Sequence, residues 1–174
     1  FASFTLKLFN WKTEGVEKFT DVGKAVLIMA PHTSMMDFVI GKLVLTKYNK
    51  KSCFFIKKEA FDWFLIGPLL KKLGGIPIYR NQPNNHIEET VKLINEKNNI
   101  WVAITPEGTR KKVKHWKKGF YRIAMAANVP ILISIIDYKT KDATIVDIFY
   151  PTGDYQSDIT EIRKHYVGVS GRHE

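Results

Sequence analysis

His32 and Asp37 stand in Ala30-Pro31-His32-Thr33-Ser34-Met35-Met36-Asp37, directly after the apolar run Ala25-Val26-Leu27-Ile28-Met29. Such a pair suits a base at a strand end and a carboxylate at the start of the next helix. A neutral imidazole takes a proton from a hydroxyl near pH 7. A carboxylate on its other nitrogen fixes the tautomer and stabilises the imidazolium as it forms. A second motif, Pro106-Glu107-Gly108-Thr109-Arg110, also follows an apolar run, Ile100 to Ile104. Its proline stops the strand ladder, and Gly108 lets the backbone approach a ligand closely. Backbone N–H groups there, with Thr109 and Arg110, suit a phosphate or a developing oxyanion. Glu107 is placed to hold Arg110 in a useful rotamer. A third turn, Gly74-Gly75-Ile76-Pro77-Ile78-Tyr79-Arg80, sets another arginine beyond a strand. No Gly-x-Ser-x-Gly elbow is present, so a base acting directly on a substrate alcohol needs no protein nucleophile. Proton transfer at one strand end and an anion clamp at another suggest transfer of a group onto a hydroxyl of an anionic substrate. The plainer reading makes His32 the partner of a buried carbonyl and Asp37 a helix N-cap. It makes the second motif a turn with a surface salt bridge, and Arg80 a surface residue.

The elements that must position these residues alternate. Short apolar runs predict strands near 25–30, 52–56, 75–79, 100–104, 130–136 and 143–149. Helices are expected from Asp37 to about Tyr48, from His86 to about Lys97, over Gly119 to Ala127 with Asn128 as C-cap, and over Tyr155 to Tyr166. Glu59 to Leu73 reads as helical with a break at Gly67-Pro68, and Asn81 to Asn85 reads as a turn. The pattern predicts an α/β fold: a single domain over residues 1–174 with a largely parallel central sheet flanked by helices. Sites in such sheets form beyond the carboxyl ends of strands, where the motifs sit. Residues 1–15 stand apart. Phe1, Phe4, Leu8 and Trp11 make a helical stripe with Lys7 and Lys12 beside it, either an amphipathic membrane-contacting segment or a helix docked on the core.

The net charge is +10, with 45% hydrophobic residues and 13% aromatics. That composition folds, and the charge favours polyanions, anionic lipid surfaces or an acidic carrier. Lysine pairs such as Lys50-Lys51 read as solvated faces, whereas Lys111, Lys112, Lys114, Lys117 and Lys118 follow Arg110 and could steer an anion. Cys53, the one cysteine, sits in Cys53-Phe54-Phe55-Ile56 and is expected to be buried. No stretch approaches the roughly 18 consecutive apolar residues of a spanning helix, and no secretory signal pattern is visible. His86, His115, His165 and His173 are scattered, so no metal is expected.

In this order and at these separations, the motifs resemble the glycerolipid (lysophosphatidic acid) acyltransferase superfamily. Its His-x4-Asp block is matched by His32, Ser34 and Asp37. Its glycine followed by Ile-x-Ile-x-Arg is matched by Gly74, Ile76, Ile78 and Arg80. Its Pro-Glu-Gly-Thr-Arg block is matched by Pro106 to Arg110, followed by Lys118-Gly119, and its Val-Pro-Ile strand entry by Val129, Pro130 and Ile131. Departures occur at Pro31, Pro77, Tyr79, Thr105 and Ile133 and bear on acceptor and chain-length choice. The resemblance implies a glycerol-3-phosphate acyltransferase-like fold. His32 would deprotonate the acceptor hydroxyl for attack on an acyl thioester, and Asp37 would orient His32. Arg80, Glu107, Thr109 and Arg110 would position the acceptor, and the Gly108 amide would help hold the oxyanion. It implies no bound cofactor, with acyl-CoA or acyl carrier protein thioester as co-substrate. Phe54, Phe55, Trp63 and Phe64 are candidates for an acyl channel. The expected activity is acylation of a lysophospholipid such as 1-acylglycerol 3-phosphate, on the inner face of the cell membrane as a peripheral protein. A related O- or N-acyltransferase with another acceptor is the alternative. A passive module binding nucleic acid or anionic membrane is a distant third, because it gives the dyad and the second motif no purpose.

Overall fold

A computed structural model describes residues 1–174 apart from 65, 79–82, 112 and 174. The chain begins with helix α1 (Ala2–Leu8) and a 3-10 turn (Val16–Phe19), then runs β1 (Lys24–Ala30), α2 (Met35–Lys47), β2 (Ser52–Lys57), α3 (Lys58–Phe61), α4 (Ile66–Lys72) and β3 (Gly75–Ile78). It continues α5 (Pro83–Glu96), β4 (Ile100–Ile104), α6 (Gly119–Ala127), β5 (Ile131–Asp137), β6 (Asp142–Phe149) and α7 (Tyr155–Lys164). The strands form one sheet in the order β3-β2-β4-β1-β5-β6. All pairings are parallel except β5 with β6. This is the single-domain α/β architecture that the strand–helix alternation predicts.

β1 lies at the sheet centre, and its run of apolar residues is what a strand covered on both faces requires. Side chains alternate between faces. Val26 and Ile28 pack with Ile94 of α5, Phe120 and Ile123 of α6 and Ile162 of α7. Ala25, Leu27 and Met29 pack with Ile40 and Val44 of α2 and Leu6 of α1. The two layers pin β1 between helices. Its register then fixes where the His32–Asp37 segment emerges: Ile28 lies beside Ile104 of β4, and Ala30 beside Ile135 of β5. The chain segments leaving β1, β4 and β5 therefore share one edge of the sheet.

Several sequence expectations shift. The helical stretch after β2 breaks before Ile66, and Pro68 falls in the first turn of α4, where a missing N–H costs little. Gly67 serves a close approach instead: a Cβ there would lie 2.1 Å from the Phe61 carbonyl oxygen. α5 begins at Pro83 rather than His86, and α7 ends at Lys164. The untidy pattern in β6 reflects a register shift against β5 at Ile133/Ser134. The N-terminal helix docks on the core, but not through the predicted stripe. Ala2 and Leu6 dock, while Phe1, Phe4 and Leu8 are exposed, and Trp11 lies beyond the helix. Lys50 is not a solvated lysine. It is buried, donating to the carbonyls of Thr20 and Val22 beneath the Trp101 ring. Cys53 is buried as expected, and burial pushes its thiol up to about 11.

Candidate active site

Residues 31–34 leave β1 through a cis Ala30-Pro31 peptide and turn into α2. Ser34 caps that helix, its hydroxyl accepting the Met36 amide at 3.1 Å. Asp37 stands at the third helical position and returns the bond, its Oδ2 accepting the Ser34 amide at 2.8 Å. This is a capping box, which uses the first-turn carboxylate to satisfy a free N–H. The same Oδ2 accepts the Thr33 amide at 2.8 Å and His32 Nδ1 at 3.0 Å. Oδ1 accepts the Tyr138 hydroxyl at 2.6 Å. The N-cap is thus Ser34 rather than the Asp37 of the plainer reading, and Asp37 closes the capping box while partnering the histidine. The two roles share one carboxylate.

Asp37 is fully buried. Burial alone would raise its carboxyl, but the hydrogen bonds from His32, Tyr138 and the Ser34 and Thr33 amides outweigh it and hold the group below its ordinary value. An ionised carboxylate accepts only, so Nδ1 carries a proton, and in the neutral imidazole Nε2 is left with the lone pair. Nε2 makes no hydrogen bond with any described residue, and the His32 side chain keeps 16% exposure. A base with its rear nitrogen locked and its front nitrogen open is the arrangement that proton abstraction needs.

The second motif lies alongside. Glu107 does not hold Arg110. Its Oε2 accepts the His32 backbone amide at 2.6 Å, tying the exit of β4 to the exit of β1. Burial raises the Glu107 carboxyl, against the pull of the His32 amide and ring. Gly108 sits at φ +63°, in the left-handed region that favours glycine, and its amide donates to the Thr105 carbonyl at 3.1 Å. That amide is therefore committed to the turn, which removes the oxyanion role the resemblance implied for it. Both strand exits thus converge on one histidine.

The acyltransferase family model matches residues 10–136, a stretch that holds the dyad and the Pro106–Arg110 turn. The chain belongs to the glycerolipid (lysophosphatidic acid) acyltransferase family. It is an acyl-transferring enzyme. No curated protein and no solved structure matches it.

The other expected site residues of this acyltransferase divide. Thr109 is half-buried, its hydroxyl accepting the Lys111 amide at 3.3 Å. Arg110 is exposed and has no ion pair or hydrogen bond among the described residues, so its guanidinium is open to an anion. Arg80 lies outside the described residues. The basic run is partly structural: Lys117 folds over Gly108, and Lys118 lies 4.6 Å from the centre of the Tyr155 ring. The acyl-channel candidates do not line one channel. Phe54 packs on Phe38 of α2 on one sheet face, Phe55 joins the core of the other face, and Trp63 and Phe64 are exposed. Among the described residues no cluster of His, Cys, Asp or Glu could hold a metal.

Sequence reading missed two residues. Arg163 of α7 donates to the Lys114 carbonyl at 2.9 Å, lies over the Trp116 ring, and its charge favours ionised Glu107. Tyr138 reaches Asp37 from the segment that follows β5, on the sheet face that α2 covers. A signal for Tyr138 existed: it follows the carboxyl end of a strand, as do the two leading motifs.

Proposed function

We propose that this acyltransferase moves a fatty acyl group from a thioester, of coenzyme A or of an acyl carrier protein, to the hydroxyl of a lysophospholipid such as 1-acylglycerol 3-phosphate. The observation that carries the reading is the His32 ring: Nδ1 held by a buried carboxylate at 3.0 Å and Nε2 open. In the reaction, Nε2 takes the acceptor hydroxyl proton as that oxygen attacks the thioester carbonyl carbon. The C–S bond then breaks, and the departing thiolate takes the proton back from the imidazolium, leaving ester and free thiol. Asp37 offsets the charge on the ring while the intermediate lasts. Arg110 and Arg80 bind the acceptor phosphate, with Thr109 beside them. Glu107 serves by placing the His32 backbone.

The surface next to the dyad supports an acceptor dissolved in a lipid layer. α1 packs against α2, and Phe4 and Leu8 of α1 are exposed together with Met35, Met36 and Val39 of α2. Among the described residues no helix is long and apolar enough to cross a membrane. An apolar face in a chain of net charge +10 suits peripheral contact with an anionic bilayer, and the cytoplasmic leaflet is the anionic one in cells.

The test is release of free thiol by purified protein, followed colorimetrically with a panel of acyl thioesters and acceptors, and product identification by mass spectrometry. Release must depend on the acceptor. His32→Ala abolishes it while circular dichroism stays unchanged. Turnover by that variant removes His32 from its role, and a phosphate-free acceptor working best removes the arginine clamp.

A further inference from the structure

The segment that leaves β5 contributes to the dyad from the side opposite Glu107. β5 neighbours β1 across from β4, so residue 138, just past the end of β5, reaches the same sheet edge. Its backbone is fixed twice. The Tyr138 amide donates to the Ser170 carbonyl at 2.9 Å, and Asp137 Oδ1 accepts the amides of Lys139 and Thr140 in a side-chain turn. Its ring meets Trp11 edge-on, centroids 5.1 Å apart at 88°. Segments from both ends of the sequence therefore hold one phenol in place.

We propose that Tyr138 is a positioning residue of the acyl-transfer reaction, its hydroxyl clamping Asp37 Oδ1 so that Oδ2 stays in line with His32 Nδ1; this rests on the His32 base assigned above. Oδ2 already accepts three donors, and Tyr138 is the one described donor on Oδ1. A carboxylate held by one oxygen can still turn about its Cβ–Cγ bond, and a grip on the second oxygen stops that. Asp37 is fully buried, so without the phenol Oδ1 becomes an acceptor with no donor. It then regains a partner only by rotating toward one or admitting water. Either change loosens the alignment of the imidazole. His32 and Glu107 face Asp37 from the β1 and β4 exits, and Arg172 faces the phenol from the C-terminal segment. Lys141 lies beyond Trp11, 5.0 Å from the centre of its ring. Burial first, then the bond to Asp37 and its charge, raise the Tyr138 hydroxyl far above its ordinary value, so it remains a donor wherever the enzyme works.

The test is Tyr138→Phe, made in the wild-type protein and in Asp37→Asn. The ring contact with Trp11 survives in phenylalanine, so the fold is kept, and the melting temperature checks this. In the wild-type background kcat falls about tenfold, with KM for thioester and acceptor within about twofold. In the Asp37→Asn background the same change costs less than about twofold, because the group it acts through is gone. An unchanged kcat, an equal loss in both backgrounds, or an effect confined to KM overturns the proposal. Should the wild-type protein release no thiol with any acceptor, the proposed function fails by itself. The clamp is then read from the nitrogen shifts of His32. An Nδ1-protonated pattern in the wild type that becomes a tautomer mixture in Tyr138→Phe supports it, and an unchanged pattern overturns it.

Discussion

Asp37→Asn separates charge from shape at the centre of the site. Asparagine has nearly the size of aspartate, and its Oδ1 can still accept the Thr33 and Ser34 amides that close the capping box. What it lacks is the negative charge beside Nδ1, 3.0 Å away. When the imidazole takes the acceptor proton, that charge is worth roughly 5 kcal/mol at an effective dielectric of about 20. An amide dipole retains part of it, so the net loss is about 4 kcal/mol, or roughly a thousandfold in kcat. Folding suffers less, because charge-assisted bonds become neutral ones at a cost of about 1–2 kcal/mol. In a domain of this size that lowers the melting temperature by roughly 3–6 °C. The assay is steady-state thiol release at saturating thioester and acceptor, beside thermal melts of both proteins. The reasoning fails if Asp37→Asn keeps kcat within about tenfold of wild type. It also fails if melting drops by more than about 15 °C, since the carboxylate would then serve the fold rather than the base.

Glu107→Gln keeps an acceptor for the His32 amide and removes a charge that burial penalises, so melting at pH 7 changes little or rises; Glu107→Ala orphans that amide and costs about 1–3 kcal/mol by denaturant titration. Asp37 and Asp158 are both held below their ordinary value, so their stabilisation is complete above about pH 4 and is lost as pH falls through the lowered values. The stability gap between wild type and Asp37→Asn therefore narrows on acidification, which melts recorded from about pH 6 down to about pH 2 will show. Gly67→Ala places a methyl 2.1 Å from the Phe61 carbonyl oxygen and forces α3 and α4 apart, for a loss of about 1–3 kcal/mol seen in the same titration.

Much of the molecule is legible in its sequence because local physics decided it. β1 and β4 are short, continuously apolar runs, and such runs become strands covered on both faces. Helix α6 ends where Asn128 takes the left-handed conformation that suits asparagine. The spacing of His32 and Asp37 sets the base in the turn before α2 and the acid in that helix's first turn, and Ser34 between them supplies the cap. These are short-range relations, and the residues that form them lie within a few positions of one another. Tertiary structure alone decided what crosses strands. Glu107 was free, from its sequence, to pair with Arg110, which lies three positions away. The parallel register of β1 and β4 brought the His32 amide to it instead. Tyr138 lies 101 positions from Asp37, and only the placement of β5 next to β1 brings its phenol to the carboxylate. The Gly108 amide and the Lys50 ammonium went the same way: each had a partner within the fold, and an amide or ammonium held within the fold is not offered to a ligand.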